Sequence, residues 1–257
     1  ADFYVNMKNK WNVLTNEYLL IQNKDGEIID KYKWCGTEFE VVKYKIINNK
    51  FMGKAKPLNI QQELLFDMLQ DNKSKIKLTT GKFGTGKDYV MLAHAINQIE
   101  SGKFDRLVWV RNNIEVTNTK EIGFLPGSME DKIMPYAQII ADHVGGQFGL
   151  EMMVRDGKIE LQHMGFIRGR DIKNSIVYVS EAENMTKELV QLVMGRISEG
   201  SVLYMNGDLK QVDKDIFRQN SGIQAMVNNL RGHESFGYIR LEKSERSEIA
   251  RMADLLD

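Results

Sequence analysis

Gly81-Lys82-Phe83-Gly84-Thr85-Gly86-Lys87-Asp88 sets three glycines and Lys87 between a strand-like run at 76–80 and a helix-like stretch. Glycines at this spacing let the backbone turn its N–H groups onto a phosphate, and the helix behind them adds its positive end. Lys87 supplies a point charge suited to the outer phosphates of a nucleoside triphosphate. The stretch matches the phosphate-loop pattern G-x-x-x-x-G-K-[ST] at every fixed position except the last, where Asp88 stands. Gly81, Lys82, Phe83, Gly84, Thr85, Gly86, Lys87 and Asp88 are therefore candidate contacts for ATP.

The mismatch has a counterpart further on. A hydroxyl at the last loop position normally touches Mg²⁺, and the second element of such a site is an apolar strand ending in Asp-Glu. Here the strand at 176–179 ends in Ser180-Glu181, so hydroxyl and carboxylate have exchanged places with no change in formal charge. Asp88 and Ser180 are the candidate metal ligands. Mg²⁺ accepts carboxylate oxygen readily, and an aspartate in the first turn of a helix is favoured by the macrodipole. A carboxylate near the phosphates repels them until metal arrives, by roughly 4 kcal/mol at about 4 Å and an effective dielectric near 20. Nucleotide binding is thus expected to be unusually metal-dependent. Glu181, directly after the strand, is expected to orient or deprotonate the attacking water.

The elements that position these groups read as two regions, an appendage with its linker over 1–55 and the main domain over 56–257. Short strands at 18–21, 28–29 and 39–46, with a turn at Lys24-Asp25-Gly26, form a small N-terminal β appendage. Residues 48–57 read as its linker. Beyond them strands alternate with amphipathic helices, the pattern of an α/β fold with a parallel sheet between helices. Strands are expected at 76–80, 107–110, 175–179, 202–205 and 238–241, with helices opening at Asn59 and Thr186 and a last one over 249–256.

Composition restricts partners. Lys+Arg and Asp+Glu both total 35 in 257 residues, so a general electrostatic hold on nucleic acid is not available. Contact with RNA or single-stranded DNA must come from a local patch or from a pore built by several subunits. No apolar run is long enough to span a membrane, no signal peptide is visible, and the single Cys35 fits a reducing cytoplasm. The four histidines show no metal spacing.

Ser180-Glu181-Ala182-Glu183-Asn184-Met185-Thr186 resembles the Asp-Glu-Ala-Gln-Asn-Thr-Thr block of the PhoH family, departing at Ser180, Glu183 and Met185. Gly123-Phe124-Leu125-Pro126-Gly127, with Arg111 and Glu115 ahead of it, is similar to another of its blocks, as are Phe166-Ile167-Arg168-Gly169-Arg170 and Gly207-Asp208-Leu209-Lys210-Gln211. The resemblance covers about 55–257, and the segment before it is similar to the connector of PIN–PhoH fusions. It implies a RecA-like P-loop ATPase domain, RNA unwinding in the fusions, and a ring, expected as a hexamer, in which a neighbour supplies an arginine.

Arg196 and Arg246 are the candidates for that arginine. Gln211 is expected to sense the γ-phosphate and Asp208 to hold metal-bound water. Gln62 resembles an adenine-reading glutamine, but equally fits a capping box with Asn59. Arg111, Phe166, Arg168 and Arg170 are the candidate nucleic-acid contacts, Phe166 stacking a base. The leading function is ATP-driven remodelling or unwinding of nucleic acid. The alternative is a nucleotide-dependent oligomeric switch that scarcely hydrolyses, motivated by the Asp88 and Ser180 exchange.

Overall fold

The structure is a computed structural model and describes residues 2–111 and 133–245. A short helix α1 (Asp2–Asn6) leads into an antiparallel sheet of β1 (Tyr18–Gln22), β2 (Ile28–Trp34) and β3 (Phe39–Val41). The β1–β2 turn is held by Asn23, whose side chain accepts from the N–H groups of Asp25 and Glu27, while Gly26 takes a φ of +83°. Phe3, Tyr32 and Phe39 form the small apolar core of this unit.

The stretch expected as a linker is not open chain. It folds into the hairpin β4 (Ile47–Asn49) and β5 (Gly53–Ala55), and Ile47 and Ala55 are buried in the main core. The expected strand at 39–46 shortens accordingly to β3. Lys43 and Lys45 donate their backbone N–H groups to the side chains of Asp67 and Gln70 instead of continuing a ladder.

The main domain carries a sheet of β6 (Ile76–Gly81), β7 (Arg106–Arg111), β8 (Ile159–His163), β9 (Ser175–Ser180), β10 (Val202–Gly207) and β11 (Phe236–Leu241). The spatial order is β11-β6-β10-β9-β7-β8 and every pairing is parallel. β9 and β10 are buried along their whole length, as expected of parallel strands covered on both faces. One face is covered by α2 (Ile60–Gln70), α3 (Lys87–Glu100), α4 (Gln138–Ala141) and α5 (Gly146–Arg155). The other is covered by α6 (Lys187–Met194) and, beyond α7 (Asp215–Gln219), by α8 (Gly222–Leu230). Asn59 and Thr186 cap α2 and α6 through their side chains, each worth about 1 kcal/mol. At the far end of α2 the buried Lys77 ammonium donates to the carbonyls of Met68 and Asp71, closing that helix.

Candidate nucleotide site

Strand side chains alternate between faces. Leu107, Trp109, Ile176, Tyr178, Val202 and Tyr204 pack into the core beneath α3, while Val108, Val110, Val177, Val179, Leu203 and Met205 pack into the opposite one. By the same parity Ser180 and Asn206 belong to the α3 face. The C-terminal ends of β7, β9 and β10 therefore meet the N-terminus of α3 at one cleft of about 250 Å³, where parallel α/β sheets hold their ligands. Lys87, Asp88, Ser180, Glu181, Asp208 and Gln211 all line it, joined by Phe83, Gly84, Arg111, Tyr136, Glu183 and Asn206.

Backbone conformation leaves the loop open toward this cleft. Gly86 is the N-cap of α3 at φ +82° and offers no side-chain cap, so the first helical N–H groups stay available to an anion. A Cβ on Gly86 would lie 2.7 Å from Nε2 of Gln62, and one on Gly81 would lie 2.5 Å from the Leu241 carbonyl oxygen. Gln62 is buried, with Nε2 donating to the Thr85 carbonyl at 3.0 Å and Oε1 accepting from the Leu58 N–H at 2.9 Å. These bonds tie helix α2 to the loop and commit both polar ends of Gln62 inside the protein. Lys87 reaches back to the Lys82 carbonyl at 3.3 Å.

The exchanged pair is supported by one residue inside an apolar run and one at the end of another. Tyr178 donates its hydroxyl to Oδ1 of Asp88 at 3.0 Å, and Asn206 Nδ2 donates to the same oxygen at 2.6 Å. Burial, followed by the charge of Asp88, pushes the Tyr178 phenol far up, so it remains a donor. One Asp88 oxygen is thus fixed by neutral donors, and the other has no hydrogen bond among the described residues. Ser180 is 5% exposed and its Oγ has no hydrogen-bond partner among the described residues. An orphaned buried hydroxyl beside a half-used carboxylate, in a cleft also lined by a P-loop lysine, fits a Mg²⁺ ion.

Glu181 sits at the turn out of β9 with φ +55°, a setting that costs a residue with a side chain about 1–3 kcal/mol and clusters at functional sites. Its carboxylate is met by Arg111, with Nη2 3.2 Å from Oε2 and 3.4 Å from Oε1. The Arg111 guanidinium also lies over the Tyr136 ring, 4.7 Å from its centroid.

Glu183 stands where the family block has glutamine. It is buried, accepts the Asp208 N–H at 3.0 Å, and burial pushes its pKa up to about 7. Near neutrality a protonated glutamate keeps the neutral shape of that glutamine. A folded pKa above the unfolded one means the native state binds the extra proton between about pH 4.5 and 7. Stability should therefore fall as pH rises through that window, by roughly 3 kcal/mol at most. Glu183→Gln is expected to unfold in urea much like the parent near pH 5 and to be more stable by about 2 kcal/mol at pH 8. A difference independent of pH would contradict this.

The remaining candidates divide between the cleft and other parts of the fold. Asp208 is buried in a turn where its carboxylate accepts the Lys210 N–H at 3.0 Å, and Gln211 is exposed at the cleft mouth. Arg196 follows α6 and does not line the cleft, although its Nε is buried without a hydrogen-bond partner among the described residues. Arg246, Glu115, the 123–127 block and the expected last helix lie outside the described residues. Phe166 and Arg168 are exposed beyond β8, whereas Arg170 is ion-paired with Glu160, which Arg106 also approaches at 3.5 Å. Arg111, expected at nucleic acid, stands in the nucleotide cleft itself.

The fold and this cleft define a P-loop nucleotide-binding protein. A family model described as PhoH-like protein matches residues 54–254. Protein PhoH2 of Bacillus subtilis (strain 168) is 31% identical over 251 residues, spanning 94% of this chain and 56% of that protein. Protein PhoH2 of Mycolicibacterium smegmatis is 30% identical over 193 residues, 74% of this chain and 44% of its own length. Among solved structures, the Pif1 helicase from Candida albicans aligns over 79% of this chain and 43% of its own, at 14% identity and a TM-score of 0.37. The chain belongs to the PhoH family. It spans about half the length of the curated relatives it matches. Among the described residues no helix is long and apolar enough to cross a membrane.

Proposed function

We propose that the protein is an ATPase that couples Mg²⁺-dependent hydrolysis to remodelling or unwinding of RNA or single-stranded DNA. The observation that carries this reading is the convergence of Lys87, Asp88, Ser180 and Glu181 on one cleft at the strand ends. Asp88 and Ser180 would hold Mg²⁺, which neutralises charge on the β and γ phosphates as they separate. Lys87 and the loop N–H groups hold the phosphates, and Glu181 orients water. Exposed Phe166 and Arg168 offer a stacking ring and a cation to a single strand. With no excess of positive charge overall, a ring of subunits is the natural way to gather such patches around one strand.

Hydrolysis measured with and without RNA or single-stranded DNA tests the coupling, and a rate indifferent to both removes it. Lys87→Ala is expected to weaken ATP binding roughly tenfold to a hundredfold, read by fluorescent-nucleotide titration. Unchanged affinity would remove the nucleotide site. The exchanged metal pair favours a second reading, a nucleotide-dependent oligomeric switch. Tight Mg–ATP binding with negligible turnover, and assembly that follows nucleotide, would select it.

A further inference from the structure

We propose that Arg111 is a positioning residue for Glu181, holding the carboxylate in an ion pair that an arriving phosphoryl oxygen exchanges for itself. The inference rests on the assignment of Glu181 to the attacking water. Arg111 ends β7 with its Cα in register with Ser180, so the guanidinium enters the cleft beside the metal pair. At 3.2 and 3.4 Å the pair is longer than the 2.7–2.9 Å of a well-made charge-assisted bond. A single nitrogen, Nη2, makes both contacts. Nε is buried with no hydrogen-bond partner among the described residues, which leaves donor capacity unfilled. The Tyr136 ring meanwhile holds the guanidinium plane. A planar fork, pre-oriented and incompletely satisfied, suits the bidentate geometry of a phosphate better than the grip it has on Glu181. Among the described residues no other cation lies within 4.0 Å of the Glu181 carboxylate, so taking Arg111 away releases it.

The phosphoryl oxygen could belong to the terminal phosphate of the nucleotide or to a nucleic-acid backbone. Dissociation constants for Mg–ATPγS and for a short single-stranded RNA, measured on the parent, Glu181→Gln, Arg111→Ala and the double variant, separate the two. Glu181→Gln frees Arg111 and is expected to tighten at least one ligand about threefold, a gain that vanishes in the Arg111→Ala background. A gain for Mg–ATPγS assigns the terminal phosphate, and a gain for RNA assigns the backbone. A gain that persists without Arg111 reflects only relief of like-charge repulsion and overturns the proposal, as does the absence of any gain. Arg111→Gln, which can keep packing on Tyr136, substitutes if alanine disturbs the fold. Failure of the parent to bind Mg–ATPγS would sink the proposed function, while the RNA titration would still read the ion pair.

Discussion

Asp88→Thr and Ser180→Asp are each expected to lower Mg²⁺-dependent ATP turnover about a hundredfold, and the double variant to recover to within about tenfold of the parent. Either change alone leaves the metal with two hydroxyls or two carboxylates. Two hydroxyls hold Mg²⁺ weakly, and two carboxylates add a negative charge beside phosphates already short of counter-charge. The double restores one of each. Recovery stays incomplete because Tyr178 and Asn206 are built around a carboxylate on α3. Tyr178→Phe should for the same reason weaken metal binding severalfold in the parent and hardly at all in the double variant. Mn²⁺ titration followed by electron paramagnetic resonance reads the metal site independently of turnover. A double variant whose defect equals the product of the two singles would show that the exchange is not compensatory.

Much of this arrangement could be read from the chain because its signals are local. Three glycines and Lys87 between a strand and a helix, Asn59 and Thr186 ahead of their helices, and Asp25-Gly26 between apolar runs each act over a few residues. The family blocks did the same for the sheet they punctuate. What escaped depends on packing across the fold. Tyr178 lies in an apolar run that reads as core and Asn206 directly follows another, and only the alternation of β9 and β10 beneath α3 turns their polar ends toward Asp88. A clue was present in the spacing of Tyr178 and Ser180, two residues apart and so on one face.

Strand β8 escaped for a different reason. At the sheet edge it is half covered, and Glu160 and Gln162 dilute the apolar signal of Ile159 and Leu161. Residues 48–57 read as a linker because Asn48, Asn49, Gly53 and Pro57 are turn formers, yet Ile47 and Ala55 anchor a hairpin into the core. Arg111 shows a third limit. Its type suits nucleic acid or nucleotide equally, and its neighbour in space, Glu181, is 70 positions away.

Three acidic residues line the cleft near the phosphate loop besides Asp88, and their environments separate their roles. Asp208 is buried, with one oxygen accepting the Lys210 N–H. Glu183 is buried and bonded to the Asp208 N–H, and burial pushes its pKa up to about 7, so a protonated form is populated near neutrality. Glu181 alone presents an exposed carboxylate, on a strained turn directly after the strand that carries Ser180. Glu181→Gln is therefore expected to lower kcat roughly a thousandfold, the scale of a lost general base, while nucleotide affinity is kept or slightly raised. Glu183→Gln, which retains the acceptor for Asp208, should leave kcat within about threefold at pH 7, since it mimics a form already populated. Single-turnover hydrolysis beside nucleotide titration separates chemistry from binding in both variants. If Glu183→Gln loses more turnover than Glu181→Gln, the proton acceptor is the buried carboxyl, and Glu181 is left with the ion pair to Arg111 as its role.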